Sequence, residues 1–161
     1  MADSGKYFLD DTDRRILRAL QADATRSVSE IAEEVGLSQT PCWRRIKRLR
    51  EAGVILGNVA QIDAEAVGLA FTSYAFVKLA LPSRTNMDRF DVLVRQWPEV
   101  VTCERITGAV DYLIKVVARD IKEYDAFLRD KLLDSDLVSD VQSRIVVATV
   151  KPPAPLPIPE N

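Results

Sequence analysis

Over residues 38–52 the apolar and charged positions separate onto two sides of a helix. Cys42, Ile46 and Leu49 fall at i, i+4 and i+7 and share one side, while Arg44, Lys47 and Arg48 fall opposite, with Thr40 above them. Just upstream, Val28, Ile31, Ala32 and Val35 repeat a helical spacing over a shorter stretch. Ser27 stands three residues before Glu30, the spacing of a capping box, and Gly36 supplies the left-handed residue on which a helix ends. Ser38 is placed to cap the next helix. Pro41 lies in that helix's first turn, where a missing N–H costs nothing. An earlier helix over 11–21, with Leu9 before it, brings Ile16, Leu17 and Leu20 against the pair. Two short helices joined through a Gly-containing turn and backed by a third make the helix-turn-helix pattern, whose second helix enters the DNA major groove.

The period changes after Gly53. Residues 58–62 read as a short strand, which makes the helical domain winged, and Asp63 caps a brief helical piece at 64–68. From Thr72 the pattern predicts strand (72–81), helix (86–96), strand (100–107), strand (111–118), helix (121–133) and strand (138–150). This βαββαβ order is the ferredoxin-like arrangement, with both helices on one face of an antiparallel sheet. Leu93, Val94 and Trp97 are expected to face inward from the first helix, and Tyr124, Phe127 and Leu128 from the second. The fold class is therefore α+β. The chain divides into a helix-turn-helix domain (1–62), a linker (63–71), a ferredoxin-like domain (72–151) and a Pro-rich tail (152–161). The strand segments AFVKLAL, YLIKVVA and RIVVATV are apolar on both sides, as in strands covered on both faces. A second copy of the chain is the simplest cover for the other face. The tail carries five prolines between Pro152 and Pro159, so it is extended, an arm or a docking peptide.

Composition narrows the chemistry. At 161 residues and 47% apolar content the chain can build real cores, and no segment approaches membrane-spanning length. The first residues lack a basic region followed by an apolar run, so no signal peptide and a cytoplasmic location are expected. There is no histidine, which removes the usual general base and the commonest zinc ligand. Cys42 and Cys103 have no metal-ligand spacing and read as two buried thiols. No catalytic residue, metal or cofactor is expected, and the chain is not read as an enzyme. The net charge of −2 splits unevenly. Residues 1–60 hold ten Lys/Arg against nine Asp/Glu, a net of +1, and residues 61–161 hold twelve against fifteen, a net of −3. Positive charge is thus concentrated on one helix, where five residues of 38–52 are basic and only Glu51 is acidic.

Gln39, Thr40, Trp43, Arg44, Arg45, Lys47 and Arg48 are the candidate contacts to double-stranded DNA. Within that set, Arg45 lies at the edge of the apolar side and is expected to pair with Asp13 of the first helix. Trp43 lies between core and groove and is expected to pack on residues 54–55. In the second domain, Thr107, Gly108, Ala109, Val110 and Asp111 join two adjacent strands. Gly108 admits close backbone approach, Asp111 can receive an ammonium group, and nearby N–H groups can receive a carboxylate. The residues alone favour a plain hairpin turn with Asp111 hydrogen-bonding its own backbone.

This organisation resembles the leucine-responsive regulatory protein (Lrp/AsnC) family of amino-acid-sensing transcription regulators. The likeness is carried by LDDTDRRILRALQADAT, IAEEVGLSQTPCWRRIKRLREAGVI and TGAVDYLIKV, which span nearly the whole chain. The TPC opening of the basic helix and the G-x-x-D-Y turn are its most specific parts. The resemblance implies DNA binding through the first domain and an amino-acid effector at the second. It implies homodimers gathered into octamers, with the effector between dimers. It shifts the reading of the turn toward an effector site completed by Gln142 and Ser143 of a neighbour. The TPCWRR wording and the LPIP tail are most similar to members tied to cysteine catabolism. Ala109 and Val110 occupy positions that vary in the family, so the effector's identity stays open. The competing reading is an architectural DNA-binding protein without an effector.

Overall fold

A computed structural model describes residues 8–160. The described residues pack as two compact units, one of 8–60 with 151–160 and one of 61–150. The helical unit holds α1 (Asp11–Ala22), α2 (Val28–Glu34) and α3 (Gln39–Glu51). Reciprocal capping boxes start the first two: Asp10 with Asp13, and Ser27 with Glu30. Gly36 ends α2 at φ 70°, a conformation that any Cβ would strain. Ser38 occupies the N-cap of α3, but its side chain makes no capping hydrogen bond. Ile16, Ile31, Val35, Cys42, Ile46 and Leu49 are almost wholly buried and form the core. Residues 58–62 form no strand, and Leu56, Val59 and Ile62 are exposed. An isolated strand has no ladder partner for its N–H and C=O groups, so alternation alone does not hold one.

The second unit is a four-stranded antiparallel sheet with helices on one face. Its elements are β1 (Phe71–Leu79), α4 (Arg84–Val94), β2 (Val100–Arg105), β3 (Tyr112–Ala118), α5 (Ile121–Phe127) and β4 (Val138–Ile145). The sheet order is β2-β3-β1-β4, with β1 pairing antiparallel to both β3 and β4. A π-helical stretch, Leu128–Leu133, continues α5; it buries Leu132 and leaves Leu133 exposed. Residues 64–68 form turns rather than a helix, although Asp63 does accept from the N–H groups of Glu65 and Ala66. The last strand stops at Ile145 instead of running to 150, and Val147 and Val150 are exposed.

Strand alternation is cleaner than the composition suggests. On β3, Tyr112, Ile114, Val116 and Ala118 are buried under the helices, while Leu113, Lys115 and Val117 are half-buried on the open face. Tyr74 and Phe76 share that open face from β1. Val94, Tyr124 and Phe127 are buried, and Leu93, Trp97 and Leu128 pack against the same core. Phe90, unremarked in the helical pattern, is its best-buried aromatic from α4, in contact with Tyr112 and Trp97.

Candidate nucleic-acid interface and effector turn

The recognition surface is built from its back. Asp13 is fully buried, a costly place for a carboxylate unless it is paired. Arg45 of α3 donates to Asp13 at 2.8 Å and to Asp10 at 2.6 Å, and Arg48 donates to Asp13 at 3.0 Å. The expected Asp13–Arg45 pair is therefore present, with Asp10 and Arg48 added to it. Burial works against the Asp10 carboxylate, but the Arg45 hydrogen bond, the Asp13 N–H and the charges of Arg45 and Arg48 outweigh it. Asp10 consequently titrates below its ordinary range. Arg15 of α1 donates to the Val35 carbonyl and so closes the end of α2. These contacts fix the angle at which α3 presents its outer side.

That outer side carries Gln39, Thr40, Trp43, Arg44 and Lys47, all exposed. Arg44 has no carboxylate partner among the described residues. Lys47 sits 5.4 Å from the centre of the Trp43 ring and 3.7 Å from Glu51, both weak exposed interactions. Trp43 is 51% exposed and lines a recess with Leu20, Val28 and Arg50. Val54 and Ile55 line a different groove, so the expected packing of Trp43 on them is not met. The indole stays at the edge of the basic surface because α3 turns it toward the start of α2. Arg50 belongs to this surface too; Trp43, Lys47 and Arg50 at i, i+4 and i+7 were the available signal. Arg45 differs from its neighbours: its guanidinium faces α1.

The turn 106–111 lies at the end of the sheet beside β1. Asp111 N–H donates to the Val77 carbonyl at 2.9 Å, and the Asp111 carboxylate accepts from Leu79 N–H at 2.8 Å. One carboxylate oxygen is thus used by β1 rather than by the turn's own backbone, which the plain-turn reading calls for. Thr107, Gly108 and Ala109 are exposed, Val110 is half-buried, and Gly108 has φ 128° with open space where a Cβ would stand. Within one chain Gln142 and Ser143 do not join the turn. They pair with Phe76 and Ala75, with β1 and then β3 between them and the turn. Neighbouring residues of a strand face opposite ways. Ser143 contacts the Tyr124 hydroxyl at 2.6 Å under the helices, and Gln142 donates to Asp140 at 3.3 Å.

Beside this end of the sheet, Arg105 binds Asp88 and Asp91, and the Tyr112 hydroxyl donates to Asp91. Burial and the Asp91 contact push Tyr112 up to about 12. Cys103 is half-buried and pushed up to about 11, chiefly by burial, so its thiol stays protonated. Among the described residues no cluster suited to a metal occurs, and no helix is long and apolar enough to cross a membrane.

Two family models match the chain: an AsnC-type helix-turn-helix domain at residues 9–50 and an Lrp/AsnC ligand binding domain at residues 72–156. The DNA-binding transcriptional activator DecR of Escherichia coli is 39% identical, covering 93% of this chain and 99% of that protein. The glutamate uptake regulatory protein of Zymomonas mobilis is 38% identical over 95% of this chain and 93% of its own length. Among solved structures, a Neisseria meningitidis transcriptional regulator in complex with L-Met superimposes with a TM-score of 0.86. It is 35% identical, and the match covers 93% of this chain and 97% of that one.

Proposed function

The chain belongs to the Lrp/AsnC family of transcription regulators, and from that premise we propose how its parts divide the work. It is a DNA-binding regulator with a ligand-binding domain. In our reading α3 enters the major groove with Gln39, Thr40, Trp43, Arg44, Lys47 and Arg50 toward the DNA. Arg48 reaches the backbone from the edge of that side, and Arg45 holds the helix in place. The observation that carries this reading is the two-sided α3: its inner edge is tied to a buried Asp13, and its outer side offers exposed cations. Arginine paired to guanine and lysine to phosphate are the contacts such a side can make.

The effector is a free amino acid, a zwitterion that needs both an anion and N–H donors. The L-Met of the Neisseria structure and the glutamate uptake regulator of Zymomonas support this class. The TPCWRR and LPIP likeness makes L-cysteine the first candidate to test. The site comprises Thr107, Gly108, Ala109, Val110 and Asp111, with Gln142 of the open face supplied by another copy; Ser143, bonded to Tyr124 under the helices, is left out of it. The open sheet face bearing Tyr74, Phe76, Leu113 and Val117 is where two chains pair, and dimers gather into octamers in the cytoplasm. The domain limits are those of residues 1–62 for DNA, 63–71 as linker and 72–151 for effector and assembly. Effector-independent architectural binding is the second reading, favoured by the bond that already engages Asp111. Selecting DNA from a random-sequence pool and then titrating the selected site with each common amino acid separates the two. An affinity that shifts with one amino acid supports the regulator; one that ignores all of them supports the architectural reading.

A further inference from the structure

The Pro-rich end of the chain is not a loose tail. It lies against the helical unit, where residues 156–159 form one wall of a cavity of about 580 Å3 whose other walls include Leu9, Leu17, Leu20, Val54 and Ile55. Ile158 packs against the helical core. Gln21 reads the backbone of Leu156 twice: its amide donates to the carbonyl at 3.2 Å, and its oxygen accepts from the N–H at 2.8 Å. Arg18 donates to the carbonyls of Ile158, at 3.3 Å, and Pro159, at 3.1 Å. Glu160 shares a shallow recess with Asp11, Arg14, Arg15 and Arg18, where three arginines against one aspartate leave the helix side net positive.

The sequence suits this mode. Pro155, Pro157 and Pro159 have no N–H, so the segment between them presents only two donors, those of Leu156 and Ile158. Gln21 takes the first, and the Leu156 carbonyl takes the second at 2.9 Å. An extended proline segment loses little entropy on docking and offers its carbonyls to fixed donors, which is how Pro-rich peptides are recognised elsewhere.

We propose that residues 155–160 are a built-in ligand of the α1 groove, held by their own chain as a clasp. Because residues 61–150 form the other unit, the chain passes between the units at residues 60–61 and again at 150–151, and the clasp makes the second crossing a fixed one. Two connections hold the recognition helix with less freedom than one. Docking within a chain needs only weak intrinsic affinity, since the tether keeps the segment at high effective concentration.

The first test is a disulfide between the groove and its ligand. The Gln21→Cys/Leu156→Cys chain is oxidised and run on a non-reducing gel beside each single variant. A fast-migrating monomer band absent from the single variants is the expected result. A dimer band would assign the segment to a second copy, and no new disulfide would place it outside the groove; either overturns the proposal. The second test uses Ile158→Asp in the full chain, a change at the segment that leaves α3 intact. A fluorescent peptide of residues 152–161 is expected to bind this variant and, by competition with the resident tail, to bind the parent about tenfold more weakly. Adding Arg18→Ala and Gln21→Ala should remove peptide binding. Operator affinity of Ile158→Asp is expected to fall about threefold or more as the paired helices lose their mutual restraint. Equal peptide binding to all three chains, or operator affinity equal to the parent's, would overturn the clasp.

Discussion

The recognition helix and the effector turn answer differently to the same question, namely what one chain completes by itself. On α3 the back is satisfied internally by Asp13 and Asp10, and the front is left for a partner. At the turn the polarity runs the other way. Asp111 is engaged by β1 of its own chain, while Gln142 and Ser143 sit two strands away. A DNA-reading surface can therefore be finished within one subunit, whereas the ligand site proposed at the turn calls on a neighbour. The difference also separates their mutants: damage at α3 should remove binding, and damage at the turn should remove only its control.

The largest effect is expected from the front of α3. Arg44→Ala should cost about 1–3 kcal/mol in operator affinity and relax preference at one base pair if Arg44 reads a base. Lys47→Ala should weaken all sequences alike and lower the salt dependence of binding by about one contact if it meets phosphate. The double variant should leave thermal stability unchanged, because both side chains are exposed. Operator binding like the parent's would break the comparison at its stronger end.

Next comes the back of the same helix. Asp13→Ala should destabilise the helical unit by roughly 2–3 kcal/mol, read by chemical denaturation. It strips two arginines of a shared acceptor, but both arginines reach solvent, so the full penalty of a buried orphan charge does not apply. Acid should probe the same cluster. Asp10 is held below its ordinary value, so the stability it contributes is present above about pH 4 and is lost as pH falls through its folded value. Stability of the parent should therefore drop more steeply below pH 4 than that of Asp10→Asn. Parallel profiles would remove Asp10 from the account.

The turn should show a smaller effect on stability and a selective one on response. Asp111→Ala removes the acceptor for Leu79 N–H and should cost about 1 kcal/mol. Asp111→Asn keeps an acceptor of the same shape and drops the charge, so it should retain stability and lose the response to effector. A response retained in full by Asp111→Asn would reduce the turn to a structural hairpin. The smallest effect concerns Trp43. Operator DNA should change its fluorescence, measured against a Trp97→Phe background, because the indole borders the basic side.

Much of this arrangement was legible in the residues. The capping box at Ser27 and Glu30, the stop at Gly36 and the two sides of α3 are local patterns, and local hydrogen bonds decide them. The βαββαβ order and the Asp13–Arg45 pair also follow from spacing and burial. What failed depended on partners that spacing does not reveal. The apolar stretches at 58–62 and 147–150 have no ladder neighbour among the described residues, so neither is a strand, and the last strand's pairing ends with Val146 N–H on the Thr72 carbonyl. Arg48 reads as a front residue by angle, yet its long side chain reaches back to Asp13. Ser143 is on the helix-covered face by register, which only the pairing with Ala75 fixes. The Pro-rich tail alternates proline with Ala154, Leu156 and Ile158, but that spacing names no partner, and its groove is assembled from residues more than a hundred positions away.

The central claim is that DNA binding is complete on α3 and its control lies at the turn. The most direct test measures operator affinity of the parent, Arg44→Ala/Lys47→Ala and Asp111→Asn, each with and without every common amino acid. At least one amino acid should shift the parent's affinity, Asp111→Asn should bind with the parent's basal affinity but ignore that amino acid, and Arg44→Ala/Lys47→Ala should bind poorly under all conditions. A parent indifferent to every amino acid, or an Asp111→Asn variant that responds as the parent does, would contradict it.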